Sequence, residues 1–310
     1  MSSVLFDAPG PRARVRHRII AGIALLLLLG LLAWVLVALQ RKGQLTAAKW
    51  EPFLTGEIWT QYLLPGIGGT VFAAAVSVVL AMILGFVLGV GRLSEHRPIR
   101  WVAGVVTEFF RAVPVLLMML FAYAVYAQYN IILSQYLALA GVVTGLTLYN
   151  GAVMAELLRS GVGSLAGGQR EAGLSIGMRP PQVLRAILVP QAITAMLPSL
   201  VSQLVVILKD TALGYIITYE ELLRKAEQIG NFKSNLIPAF IVVAAIFILT
   251  NYGVSVLARV VEQRMRTRGR TAGRIGGGLL AAGGTAGVVA AVDRDGGDHN
   301  RNDEGGVRVP

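Results

Sequence analysis

The polar segment at residues 169–177, which reads QREAGLSIG, is the part of this chain best suited to recognition chemistry. It offers charged and amide groups beside residues small enough to let a partner surface approach closely. This segment and the residues after it supply the candidate binding residues Gln169, Glu171, Ala172, Gly173, Gly177, Ile187 and Pro190. By composition alone, an ordinary amphipathic loop at a membrane surface has the same appearance.

A second group of polar side chains lies within apolar segments, where burying such groups is expensive and therefore favours a functional role. These candidates for a substrate pathway are Thr147, Asn150, Ser202, Gln203, Lys209 and Asp210. For Asn150, hydrogen bonding within a helix bundle is the favoured alternative. A structural charge pair at a membrane interface accounts equally well for Lys209 and Asp210. The i,i+3 spacing of Glu108 and Arg111 predicts an ion pair.

The sequence offers little for catalysis or metal binding. It has no cysteine, and its three histidines (His17, His96 and His299) are scattered in polar segments. It has no nucleophile–base–acid constellation and no phosphate loop of the GxxxxGK[ST] type, so ATP hydrolysis would have to occur on another chain. We therefore predict a non-catalytic subunit with no catalytic residue, no metal site and no cofactor.

The elements that must position these residues are helices in a membrane. Hydrophobic residues make up 55% of the chain and charged residues 15%, against roughly 45–50% and about 25% in soluble proteins. Runs of about 20 apolar residues are long enough to cross a hydrocarbon core of about 30 Å. Strand-type alternation is absent, which argues against a barrel. We predict an all-α, polytopic membrane protein with about six transmembrane helices, near residues 19–39, 67–90, 113–129, 137–157, 192–208 and 236–257.

The placement of the arginines predicts the orientation. The net charge is +11, and most arginines lie before the first apolar run, between the second and third, in the loop at 159–190 and after the last run. The positive-inside rule then places this loop and both termini in the cytoplasm. Because the positive charge is distributed loop by loop and forms no single patch, we do not expect a nucleic-acid partner.

Glycine and proline predict the local form of the loop. Residues 165–176 can form a short helix, which Gly177 would end in a left-handed conformation. Pro180 and Pro181 suit the start of the next helix. The expected result is a helix–turn–helix with Glu171 exposed. In the second apolar run, Gly85 and Gly89 indicate a close helix–helix contact.

The chain divides into four predicted parts: an N-terminal tail (1–18), a first transmembrane helix with an outer connection (19–63), a transmembrane domain (64–260) containing the loop 159–190, and a C-terminal tail (261–310). The tail is basic and then Gly-rich, and its composition predicts disorder. A seventh span within its apolar stretch is an alternative. We interpret the first helix as retained, although its basic start also fits a cleaved signal peptide.

The loop resembles the EAA loop of ABC-transporter permeases, whose pattern is E-A-A-x3-G-x9-I-x-L-P. Glu171, Ala172, Gly177, Ile187 and Pro190 match that pattern, while Gly173 and Val189 depart from it in ways that keep a small and an apolar residue. Residues 108–117 (EFFRAVPVLL) and 208–213 (LKDTAL) are similar to segments of the polar amino acid permeases, and the resemblance covers residues 65–260. The N-terminal residues SVLFDAPGP and the long tail are similar to second permease subunits of actinobacterial glutamate uptake systems.

The resemblance implies the type I ABC importer permease fold in a bacterial cell membrane. It implies that the chain works with a pair of ATPase subunits, a homologous second permease and an extracytoplasmic substrate-binding protein. The cargo would be a polar amino acid, with glutamate first, and transport would occur by alternating access driven through residues 169–190. An ion- or proton-coupled secondary transporter and a non-transporting membrane scaffold are the alternatives.

Overall fold

The structure, a computed structural model, describes residues 10–284, and the elements it describes are helical, with no strand among these residues. The helices are α1 (Pro11–Arg41), α2 (Ala47–Trp50), α3 (Gly56–Ile58), α4 (Leu64–Arg92), α5 (Arg97–Ala112), α6 (Val115–Gln128), α7 (Leu137–Gly163), α8 (Gly168–Ser175), α9 (Pro180–Val183), α10 (Val189–Asp210), α11 (Leu222–Lys233) and α12 (Leu236–Gly284). Short 3₁₀ or π-helical segments lie at Glu51–Leu54, Trp59–Leu63, Ser134–Tyr136, Leu184–Leu188 and Thr211–Ile217. The predicted all-α class is confirmed.

Five helical stretches in the described residues are long and apolar enough to cross a membrane, and a bent pair of helices makes up to six. The stretches are Arg12–Arg41, Gly56–Arg92, Ser134–Gly163, Pro180–Ile217 and Leu236–Val260. By helix length and composition, the prediction of about six transmembrane helices is confirmed.

The third predicted span differs from a single straight helix. Helix α6 has 14 residues, which at about 1.5 Å per residue gives about 21 Å, less than a hydrocarbon core of about 30 Å. It joins α5 at a bend of 100°. Pro114 causes the break, because a residue before proline avoids the helical region, and Val113 is extended at φ −83° and ψ 129°.

Two helices extend beyond their predicted bounds. Helix α1 begins at Pro11, inside the predicted tail 1–18, where proline suits the first helical turn. Helix α12 continues to Gly284, past the predicted end of the membrane domain at residue 260 and into the segment predicted to be disordered. Residues such as Gln263, Arg264 and Met265 are good helix formers, which favours this continuation. The remaining parts of both tails lie outside the described residues.

The centre of the fold is the contact between α4 and α7, and glycine makes it close. A Cβ at Gly85 would lie 2.6 Å from the Cβ of Met154 and 2.9 Å from the carbonyl oxygen of Gly151. A Cβ at Gly89 would lie 2.9 Å from a methyl group of Leu158. The helix–helix contact predicted for Gly85 and Gly89 is therefore confirmed, and α7 is their partner.

Helix α1 is the least covered of the long helices. Its side chains from Ile19 to Val37 are all exposed in the chain on its own. An apolar surface of this extent needs cover from lipid or from another membrane protein.

Candidate coupling site and substrate pathway

The loop between α7 and α10 has the predicted helix–turn–helix form. Helix α8 ends at Ser175, and Gly177 follows with φ +83°. The N–H of Gly177 donates to the carbonyl of Leu174 at 3.0 Å, and that of Met178 donates to the carbonyl of Gly173 at 3.2 Å. This pair of bonds is a Schellman motif, in which a left-handed residue satisfies the last helical carbonyls. Helix α9 then starts at Pro180, as expected.

Gly173 serves packing within the loop, which corrects our expectation that a partner uses it for close approach. It is buried, and a Cβ there would lie 2.9 Å from Val183 Cγ2 and 3.2 Å from Ile187 Cδ1. Glycine at 173 therefore lets α8 lie directly on the segment that leads into α10. Ile187 takes part in this packing and is half-buried.

The exposed surface of α8 is formed by other residues. Glu171 and Ala172 are exposed, as is Gln169, whose Oε1 accepts a hydrogen bond from Gln191 Nε2 at 3.2 Å. Sequence reasoning missed Ile176, an apolar side chain at the end of this helix that is 77% exposed. The sequence signal for an exposed Ile176 was its position directly before Gly177, the glycine predicted to end the helix.

The segment after α9 connects the loop to α10. Residues Leu184–Leu188 form a π-helical turn, which is rare and frequent at functional sites. Pro190 lies exposed in the first turn of α10, and Pro198 lies inside the same helix, where it removes one backbone hydrogen bond. Val183 and Ile187, which pack against Gly173 of α8, thus lie in the segment that leads directly into α10.

A charged network beside the loop joins α4, α5 and α7. Arg92 Nη1 lies 3.0 Å from both Glu108 Oε1 and Glu156 Oε2, with only 13% of its side chain exposed. The predicted pair of Glu108 and Arg111 is confirmed at 3.1 Å, and Arg159 contacts Glu156 at 2.5 Å. Sequence reasoning missed the bridging role of Arg92, since its partners are 16 and 64 positions away in the sequence.

Two of the predicted pathway residues contact each other. Asn150 on α7 is fully buried, and its Oδ1 accepts a hydrogen bond from Gln203 Nε2 on α10 at 2.6 Å. Its Nδ2 donates to the carbonyl of Leu146 at 2.9 Å. This hydrogen bond links α7 to α10, which together with the burial of Asn150 favours packing as its role in this conformation.

Replacing Asn150 with leucine should lower the free energy of unfolding by about 1–3 kcal/mol, because the Gln203 amide would lose its buried partner. The melting temperature of the full chain in detergent measures this effect. The double variant Asn150→Leu/Gln203→Leu should recover part of the loss, since both polar groups are then gone. An unchanged melting temperature with a raised KM for uptake would show instead that Asn150 contacts substrate.

The other pathway candidates are dispersed. Thr147 has a buried hydroxyl with no partner among the described residues, and Ser202 is exposed and donates to the carbonyl of Pro198 at 3.0 Å. Lys209 lines an apolar cavity of about 620 Å³ against α12, while Asp210 ends α10. No salt bridge joins Lys209 and Asp210 in the described part of the chain. Substrate contact by these four residues stays a prediction.

At the end of the fold opposite the loop, Glu221 caps the N-terminus of α11. It is fully buried, and its carboxylate accepts hydrogen bonds from the N–H groups of Leu223 at 2.8 Å and Arg224 at 2.6 Å. Burial raises the pKa of the Glu221 carboxyl to about 7, although these two hydrogen bonds act in the opposite direction.

This shift in the Glu221 pKa predicts a pH dependence of stability. The folded chain takes up a proton below about pH 7, whereas the unfolded chain does so only near the ordinary value of 4.5. The Glu221 contribution to stability should therefore rise as pH falls from about 7 to about 4.5, and be lost as pH rises through 7. Melting temperatures of wild type and Glu221→Gln from pH 5 to 8 should diverge, with the exposed Glu51→Gln as control. Parallel curves would contradict this assignment.

Among the described residues, no group of three or more His, Cys, Asp or Glu side chains is placed to hold a metal ion.

Residues 77–267 match the family described as binding-protein-dependent transport system inner membrane component. The chain is 50% identical over 228 residues to the glutamate transport system permease protein GluD of Corynebacterium glutamicum, covering 74% of this chain and 84% of that protein. It is 32% identical to the probable glutamine ABC transporter permease protein GlnP of Bacillus subtilis, covering 66% and 93%.

Solved structures agree with these matches. A structure described as an amino acid ABC transporter with histidines aligns at a TM-score of 0.61 and 28% identity, covering 66% of this chain and 95% of that one. The inward-facing MetNI methionine ABC transporter aligns at a TM-score of 0.55 and 16% identity, which supports the fold alone.

Proposed function

This chain belongs to the family of binding-protein-dependent transport system inner membrane components, and from that premise we propose that it carries glutamate across the bacterial cell membrane as a permease subunit of an ABC importer. The observation that carries the choice of glutamate is the 50% identity to the C. glutamicum glutamate permease over 74% of this chain. The comparisons give no support to an ion-coupled transporter, the alternative considered above.

The exposed face of α8 is the proposed docking surface for an ATPase subunit. Glu171 is the only acidic residue between Glu156 and Asp210, and Ile176 adds an exposed apolar side chain at the C-terminal end of the same helix. The arginine distribution supports a cytoplasmic position for this loop and for both termini. ATP hydrolysis would occur on the partner chain, because no phosphate loop occurs in this sequence.

Force applied at α8 would move α10. Gly173 lets α8 pack on Val183 and Ile187, and Gln169 is hydrogen-bonded to Gln191 at the start of α10. Helix α10 carries Gln203 and Lys209 further along its length. A shift of α10 would separate Gln203 from Asn150 and open a route beside α7. Such a shift requires the ATPase to bind α8 differently in the two conformations.

A homologous permease and an extracytoplasmic binding protein complete the proposed importer. The exposed apolar side chains of α1 support the presence of lipid or a further membrane subunit around this chain. The binding protein would deliver glutamate at the end of the fold where α11 lies.

Reconstitution into liposomes with the candidate partner subunits tests this function. Labelled glutamate should accumulate only when ATP is hydrolysed, and unlabelled glutamate should compete better than glutamine or arginine. Non-hydrolysable ATP is the control. Uptake that follows an ion gradient without ATP would contradict the ABC assignment, and uptake competed equally by all three amino acids would contradict glutamate.

A further inference from the structure

A cavity of about 600 Å³ lies between α5, the end of α7 and the start of α8, and it is strongly basic. Arg92, Arg100, Arg159 and Arg170 line it, and Glu95 is the only acidic residue among the described lining residues. Four positive charges thus face one negative charge. The importer function proposed above does not use this cavity.

Two of the four arginines carry most of the uncompensated charge. Arg92 and Arg159 are paired with Glu156 on α7. Arg100 donates from Nη1 to the carbonyl of Ser94 at 3.0 Å, and none of the described carboxylates pairs with it. Arg170 Nη2 lies 3.4 Å from Glu95 Oε1, and both side chains are more than half exposed. Because exposed ion pairs are weak, Glu95 compensates little of the charge of Arg170.

Apolar residues share the wall of the cavity with the arginines. Leu93 and Leu165 contribute to its wall. On α5, the exposed side chains of Trp101, Val102 and Val105 lie on one face of the helix. Because α5 makes a bend of 100° with α6, it lies nearly in the membrane plane if α6 crosses the bilayer, with these side chains toward lipid.

We propose that this cavity binds the phosphate headgroup of an anionic phospholipid. Guanidinium groups recognise phosphate oxygens through paired, charge-assisted hydrogen bonds, and Arg100 and Arg170 approach the same space from α5 and α8. The exposed apolar face of α5 provides a place for the acyl chains. A bound lipid would join α5 to α8 and so make the position of the loop sensitive to membrane composition.

Native mass spectrometry and thermal melting of the purified full-length chain test this site, because neither depends on transport. The probes are phosphatidylglycerol, zwitterionic phosphatidylcholine and inorganic phosphate. Phosphatidylglycerol should bind and raise the melting temperature, and higher salt should weaken it. The double variant Arg100→Gln/Arg170→Gln should bind it about twenty-five-fold more weakly, from roughly fivefold per arginine.

Arg97→Gln is the matched control, since it removes the same charge from the same helix but does not line the cavity. Equal weakening by Arg97→Gln and by Arg100→Gln would overturn the proposal, as would an unchanged affinity in the double variant. A phosphatidylcholine effect equal to that of phosphatidylglycerol would also overturn it. Inorganic phosphate that reproduces the full effect would identify a free-anion site in place of a lipid site.

Discussion

Replacing Gly85 with leucine is expected to prevent stable packing of the membrane domain. Its Cβ would lie 2.9 Å from the carbonyl oxygen of Gly151, a backbone atom that cannot move unless α4 and α7 separate. Overpacking of this kind costs about 3 kcal/mol, a large part of the roughly 5–15 kcal/mol that stabilises a typical domain. Thermal melting of the chain in detergent, with size-exclusion profiles, measures the loss.

Gly68→Leu is the matched control for this prediction. Gly68 lies in the same helix, and no atom beyond the neighbouring backbone of that helix lies within 4 Å of the position its Cβ would take. A leucine there should leave the melting temperature unchanged or slightly raised, because glycine is a poor helix former. If the Gly85 and Gly68 variants melt at the same temperature, the close contact of α4 with α7 is not what holds the domain together.

Sequence patterns predicted those features that depend on local chemistry. The turn at Gly177 followed from the need of a helix end for a residue that tolerates positive φ, and Pro180 marked the next helix. Long apolar runs predicted the membrane spans, since length and hydropathy together determine whether a helix can cross a bilayer.

Features that depend on distant neighbours were not predictable in the same way. Nothing local to Gly173 distinguishes a residue that packs inward from one that admits a partner, because that depends on where Val183 lies. The bridge from Arg92 to Glu108 and Glu156 requires three helices to meet. Pro114 itself was a local signal for the break between α5 and α6. Hydropathy alone nevertheless predicted one complete transmembrane helix at 113–129, where the structure has the short helix α6.

The candidate substrate pathway shows most clearly what polarity in the sequence cannot predict. Polarity within apolar runs selected Asn150 and Gln203 as candidates, and the structure brings their side chains together. The same hydrogen bond that unites them also satisfies both groups, so polarity at membrane depth does not separate a transport residue from a packing residue. Ser77, a buried hydroxyl on α4 with no partner among the described residues, was not selected by that reasoning.

Reversing the charge at Glu171 is expected to have the largest effect on transport, a fall of at least about tenfold in ATP-driven glutamate uptake. Glu171 is the only acidic residue of α8, so Glu171→Arg would leave this helix with no negative charge to pair with a basic side chain of the proposed ATPase partner. Loss of one close interfacial charge pair costs about 2 kcal/mol or more, which exceeds tenfold. The helix-dipole contribution of an acidic residue in the first turn is smaller, about 0.3–1 kcal/mol.

The position of Glu171 separates this effect from misfolding. The side chain is exposed and forms no ion pair within the described chain, so Glu171→Arg should melt at nearly the wild-type temperature while uptake falls. Glu171→Gln should lose less, since it removes the charge without adding a repulsive one. Glu57→Arg, an exposed reversal before α4, controls for net charge. Co-purification of the ATPase and glutamate uptake in liposomes are the two measurements. Normal values of both in Glu171→Arg would mean that α8 does not couple this permease to its ATPase through charge.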